Sequence, residues 1–226
     1  MPTGKITALR AQIHDPQRVN LSLDDVFALG ISLNTIVKEN LFVGKELSED
    51  EFARLAASES VDKAYQAGLR FLNARPRSAA EIRERLRRKE FSDEAIVGAL
   101  DRLERIGLVD DVAFARFWVE NRLIANPRGT SALRHELQRK GIDRDVADGV
   151  LDDDALVGDQ DDRALQMARV VLRKYAAAPD KMTFTRKLGG YLQRRGFSFT
   201  TIRPVIDSLW EELRVQRASD SDRDDA

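Results

Sequence analysis

Three basic doublets recur along this chain, Arg88-Lys89, Arg139-Lys140 and Arg194-Arg195, spaced by 51 and 55 residues. The chemistry open to them is charge-assisted binding of phosphate or carboxylate, because each keeps its positive charge at neutral pH and offers several donors. Bond-making chemistry finds little footing. The sequence holds no GxxxxGK[ST], GxGxxG, GxSxG or HExxH, so the common phosphate cradle, dinucleotide fingerprint, nucleophile elbow and zinc-protease helix are missing. There is no cysteine, which excludes disulfides and thiolate metal sites. The two histidines, His14 and His135, stand 121 positions apart, a poor start for an imidazole metal centre. Asp152, Asp153 and Asp154 read as solvated linker charge rather than a metal cluster. The expectation is therefore a protein that binds rather than catalyses, with no metal and no cofactor.

The elements that hold the doublets repeat with them. Aligned on Leu86, Leu137 and Leu192, the residues four earlier are Ile82, Leu133 and Leu188, and those five later are Phe91, Ile142 and Phe197. Fourteen later come Leu100, Leu151 and Ile206. An upstream apolar helix precedes each block, over Ala64–Leu72, Phe114–Ile124 and Ala164–Tyr175, and Pro76, Pro127 and Pro179 break the chain after them. The unit is thus helix, turn, helix, tight turn, helix, occurring three times. Gly141 and Gly196 suit the left-handed residue of the tight turn, where the first unit has Glu90 at greater cost. Ser92, Asp143 and Ser198 are placed to cap the third helices.

The first sixty residues differ. Val19, Leu21 and Leu23 alternate with polar residues, Asp24-Asp25 can turn, and Phe27, Leu29 and Ile31 alternate again, predicting a β-hairpin. Ile6 and Ala8 suit a third strand, and Ile36, Val37 and Leu41 a short helix stopped by Gly44. Ser48-Glu49-Asp50-Glu51 is a capping box that opens the next helix. The expected fold is mainly α: tandem three-helix repeats in an elongated array behind a small β-hairpin-containing domain. The expected boundaries are 1–47 for that domain, 48–109 for a linking helix and repeat one, 110–156 for repeat two, 157–215 for repeat three, and 216–226 for a disordered acidic tail.

Charge is segregated although the net value is only −1. Residues 181–203 carry six cations (Lys181, Arg186, Lys187, Arg194, Arg195, Arg203) and no acid, whereas 148–162 hold seven aspartates and no cation. Such segregation predicts a basic face for an anionic partner. Helical geometry sets Arg88, Arg139 and Arg194 about 200° from the core leucines, hence outward, and Arg83, Arg87 and Arg134 on the flank. The competing reading is solubility and a favourable helix C-terminus. Phe114, Phe117, Trp118 and Trp210 read as packing residues. A helix–turn–helix invites comparison with DNA readers, but the helices after the first two tight turns, DEAIVGALDRLE and RDVADGVLDDD, are acidic, unsuited to base edges. The N-terminus lacks a signal-peptide core and no run approaches a membrane span, so the expected compartment is the cytoplasm.

In these repeats the sequence resembles the RecX family, regulators of the RecA recombinase. The resemblance rests on AGLRFLNARPRSAAEIRERLRRKEF (67–91), LERIGLVDDVAFARFWVENR (103–122), RGTSALRHELQRKGI (128–142) and KLGGYLQRRGFSFTTIRPVID (187–207). RVNLSLDDVFALGIS and VGKELSEDEF are similar to the strand-rich extension of some members. The resemblance implies a non-enzymatic modulator that binds in the groove of the RecA filament on single-stranded DNA and limits strand exchange and ATP hydrolysis there. It implies contacts from Arg83, Arg87, Arg88 and Lys89 in the first unit and from Arg128, Arg134, Arg139 and Lys140 in the second. Arg186, Lys187, Arg194 and Arg195 follow in the third. Glu90 stands where the family has glycine, and the acidic tail has no family role. A monomer suffices, since several weak contacts on one tether add as avidity. Two other readings remain open at this point: a protein that binds DNA without the recombinase, and a helical adaptor for an unrelated protein.

Overall fold

A computed structural model describes residues 3–13 and 15–224, with backbone alone for 218–224; Met1, Pro2, His14, Asp225 and Ala226 lie outside the described residues. The chain divides after Val109 into two compact units.

The first unit opens with β1 (Gly4–Ala11), β2 (Arg18–Leu23) and β3 (Val26–Ser32), then α1 (Leu33–Lys38) and β4 (Glu46–Leu47). The four strands form one sheet in the order β3-β2-β1-β4. Asp24 and Asp25 take φ of 46° and 66°, the double positive φ of a two-residue hairpin turn. The hairpin and third strand occur where alternation predicts them. Phe27 does not point inward, however, and is 62% exposed. The register shifts between Leu21 and Ser22, so Phe27 pairs with Ser22 on the outer face rather than with Leu23, a bulge that reverses the alternation. The helix α1 also stops sooner than expected. Asn40, at φ 48°, ends it ahead of Gly44, a role Asn fills second only to glycine.

From Ser48 a helix of 24 residues, α2 (Glu49–Leu72), starts with its capping box intact. Its first turns give Phe52 and Leu55 to the sheet core of Ile6, Leu21, Leu23 and Ile31. Its later turns give Ala64 and Ala67 to a second core shared with α3 (Ala79–Arg87) and α4 (Asp93–Arg105). One rigid helix therefore serves both cores. Glu59, 1% exposed, ties it to the sheet through the Arg18 guanidinium, which also donates to Gly30 O at 2.8 Å.

The second unit holds two further three-helix repeats. The first is α5 (Asp111–Ala125), α6 (Thr130–Arg139) and α7 (Arg144–Leu151), followed by the single turn α8 (Asp154–Val157). The second is α9 (Gln160–Tyr175), α10 (Lys181–Arg194) and α11 (Phe199–Asp224). The aspartates of the acidic stretch act as caps: Asp153 accepts from Ala155 N, and Asp159 from Asp161 N and Asp162 N. The backbone stays helical to Asp224, past residue 215 where composition sets the start of a disordered tail. Arg217 holds these turns to the rest of the repeat by donating to Ala178 O at 2.9 Å, and Arg214 pairs with Glu211 at 2.8 Å.

The tight turns are the same in all three repeats. The amides of Phe91, Ile142 and Phe197 donate to the carbonyls of Leu86, Leu137 and Leu192 at 3.3, 3.1 and 3.2 Å, the six-residue closure of a Schellman turn. Glu90, Gly141 and Gly196 take φ of 62°, 75° and 87°. Only Glu90 carries a Cβ there, so Glu90→Gly is expected to raise stability by about 1 kcal/mol, read from the midpoint of urea unfolding. No gain, or a loss, would mean that the Glu90 side chain compensates for its backbone. The aligned positions Ile82, Leu86, Leu133, Leu137, Leu188 and Leu192 are all 0% exposed. Phe114 and Trp118 stack, and Trp210 packs on Phe184, as packing residues should. Phe117 departs from this, at 42% exposed.

Candidate functional site

The proposed cations separate into those that remain available and those the fold engages. In the first unit, α3 carries Arg83 on its flank, and Arg87, Arg88 and Lys89 at its C-terminal end. Arg87 meets Asp93 at 3.0 Å and Arg88 meets Glu84 at 3.0 Å, both pairs well exposed. Exposed pairs of this kind contribute only about 0–1 kcal/mol, so a partner's anion can exchange for them. Arg83 and Lys89 have no carboxylate within ion-pair distance among the described residues.

In the second unit, Arg128 is tied down. Glu136 is 4% exposed and accepts from Arg128 Nη1 at 2.8 Å, Arg122 Nε at 2.7 Å and Trp118 Nε1 at 3.0 Å. Lys140 Nζ and the Arg122 guanidinium lie 4.6 and 4.7 Å from the centre of the Trp118 ring, within cation–π range. Arg134 donates to Asp148 at 2.5 Å, and Arg144 approaches the same carboxylate at 3.5 Å. The hydrogen bond from Arg134 holds the Asp148 carboxyl below its ordinary pKa. Arg195 is engaged by Asn126 Oδ1 and lies over the Tyr191 ring.

Arg139, Arg186, Lys187 and Arg194 differ from these. All four are exposed, and no carboxylate lies within ion-pair distance of them among the described residues. The sequence's outward assignment of Arg88, Arg139 and Arg194 agrees with their exposure. Sequence spacing missed Arg203, which is exposed on α11. The available signal was its place in the acid-free run 181–203; of that run, Lys181 is held by Asp207 at 2.7 Å.

The exposed cations can hold anions at several points. No group of His, Asp and Glu among the described residues could hold a metal ion. No described helix is long and apolar enough to cross a membrane.

Four family models match the chain in order: the regulatory protein RecX N-terminal domain over residues 4–48, and the first, second and third RecX three-helix domains over 64–103, 110–151 and 159–206. The regulatory protein RecX of Bacillus licheniformis is 32% identical over 201 residues, covering 89% of this chain and 76% of its relative. That of Mycobacterium avium is 43% identical over 131 residues, covering 58% and 75%. A crystal structure of regulatory protein RecX superposes with a TM-score of 0.74 at 25% identity, over 91% of this chain and all of the other. With every repeat matched in order and a relative 32% identical over 89% of it, the chain belongs to the RecX family of regulatory proteins.

Proposed function

We propose that the chain is a non-enzymatic modulator of the RecA recombinase that binds in the groove of the RecA–single-stranded DNA filament and restrains strand exchange and ATP hydrolysis. The observation that carries this reading is the presence, on both units, of cations with no carboxylate within ion-pair distance among the described residues: half-buried Arg83 and exposed Lys89 on one, exposed Arg139, Arg186, Lys187 and Arg194 on the other. A target met at two places on one chain gains avidity, and a long filament presents its anions repeatedly. The exchangeable pairs of Arg87 and Arg88 add to the cations of the first unit.

Reading of bare DNA by base edges is disfavoured. The helices after the first two tight turns expose Asp93, Glu94 and Asp101 on α4 and Asp145 on α7, which repel phosphate. Co-sedimentation with RecA filaments, with bare single strands and with free RecA, each at two salt concentrations, tests the proposal. Retention by the filament should exceed retention by bare DNA, and the bare-DNA component should fall more steeply with salt. Equal retention by filament and bare DNA would show instead a general DNA-binding protein. Indifference to all three would leave the adaptor reading.

A further inference from the structure

The third repeat carries a groove whose rim shares Arg186 with the basic surface. Residues of α10 and α11, joined by Ser131 of α6, line a cavity of about 700 Å³. Ile202 and Ile206 form its apolar base, 4% and 2% exposed, and Phe199 stands beside it 73% exposed. Gly189 is explained by internal packing, since a Cβ there would come within 3.2 Å of Ile206 Cδ1. Gly190 is not so explained. A Cβ at that position would meet only the Arg194 guanidinium, at 3.4 Å, so the missing side chain leaves open space that the fold does not require.

The rim cations form no close ion pair, although Arg203 lies near enough to Asp207, and Arg186 to Asp180, to favour those carboxylates electrostatically. Arg186 and Arg203 line it, both exposed, and neither has a carboxylate within ion-pair distance among the described residues. The acid on the lining, Asp207, is already held by Lys181 at 2.7 Å. A hydrocarbon base beneath two unpaired guanidiniums asks for a ligand that is apolar at its centre and anionic at its edges.

We infer that this groove docks an acidic segment of a partner protein, which inserts a phenylalanine or leucine side chain between α10 and α11 and presents carboxylates to Arg186 and Arg203. A nucleic acid strand fits less well. The Ile202 and Ile206 base offers a nucleobase edge no hydrogen-bonding group, whereas it suits an apolar side chain. Helix-in-groove and extended-peptide recognition both use this combination of apolar anchor and charged rim. The inference goes beyond the filament reading and does not depend on it, since the segment belongs to any protein of that chemistry.

The test is fluorescence anisotropy with the full chain and a fluorescein-labelled glutamate-rich peptide bearing phenylalanine and leucine four residues apart. An all-glutamate peptide and a labelled oligothymidylate serve as comparisons. Gly190→Leu fills the slot and Arg203→Glu reverses the rim; thermal melts confirm that each variant folds. The wild-type chain should bind the phenylalanine–leucine peptide about ten-fold more tightly than the all-glutamate peptide, and each substitution should weaken it about ten-fold. Arg186→Glu replaces Gly190→Leu if the latter fails to fold. Equal binding of the two peptides, or full affinity in the folded variants, overturns the inference. So does tighter binding of oligothymidylate that is lost in Gly190→Leu, which would make the groove a nucleic-acid site.

Discussion

Removing the two arginines that hold Glu136, as Arg122→Met with Arg128→Met, is expected to destabilise the chain by about 3–5 kcal/mol, because a buried carboxylate is then left without a counter-charge. Glu136 is 4% exposed, whereas the arginine side chains retain 35% and 29% of their surface. The asymmetry matters. Glu136→Leu should cost less than the double arginine change, since the cations left behind can turn to water while the buried charge itself is gone. Combining all three substitutions should recover much of the loss. Urea unfolding of the four proteins measures this directly. A double arginine variant as stable as wild type would show that the cluster around Trp118 is held by packing alone.

The second large effect concerns the junction of the last two repeats. The turn before α6 and the tight turn before α11 touch backbone to backbone, with the Gly129 amide donating to Arg195 O at 3.0 Å. A Cβ on Gly129 would lie 2.1 Å from Gly196 O and 2.4 Å from Phe197 N. A backbone contact cannot swing aside as a side chain can, so the repeats themselves must part. Gly129→Ala is expected to cost about 3 kcal/mol, the upper range for overpacking, and to split the unfolding of the second unit into two transitions. Gly149→Ala is the control: nothing lies within 4 Å of a Cβ there, and alanine should stabilise the interior of α7 by about 1 kcal/mol. A single unshifted transition in Gly129→Ala would contradict the rigid junction. This contact also explains why α6 has no side-chain cap, since only glycine fits where a serine or aspartate would ordinarily sit.

The sequence was most informative where structure is local and periodic. Hydrophobic spacing located the helices, the strands and the core positions around Leu86, Leu137 and Leu192, and the shared tight turn followed from alignment of the repeats. It was least informative where distant residues meet. Periodicity says which way Arg134 leaves its helix, but not that Asp148 waits across from it, or that Arg128, in the turn before α6, joins Arg122 and Trp118 on Glu136. Arg134 shares the spacing of Arg83, three before the aligned leucine, and differs from it in its neighbours. Phe27 was misread because one bulge reverses a two-residue period. Gly129 and Gly196 each resemble an ordinary turn residue, and nothing in the sequence marks them as a contacting pair.

The most direct test of the central claim neutralises the available cations together: Arg83, Lys89, Arg139, Arg186, Lys187 and Arg194, each to Gln. Binding to RecA filaments, measured against salt concentration, should weaken about a hundred-fold, with a shallower salt dependence and an unchanged melting temperature. The claim is contradicted if this variant holds the filament as tightly as wild type does.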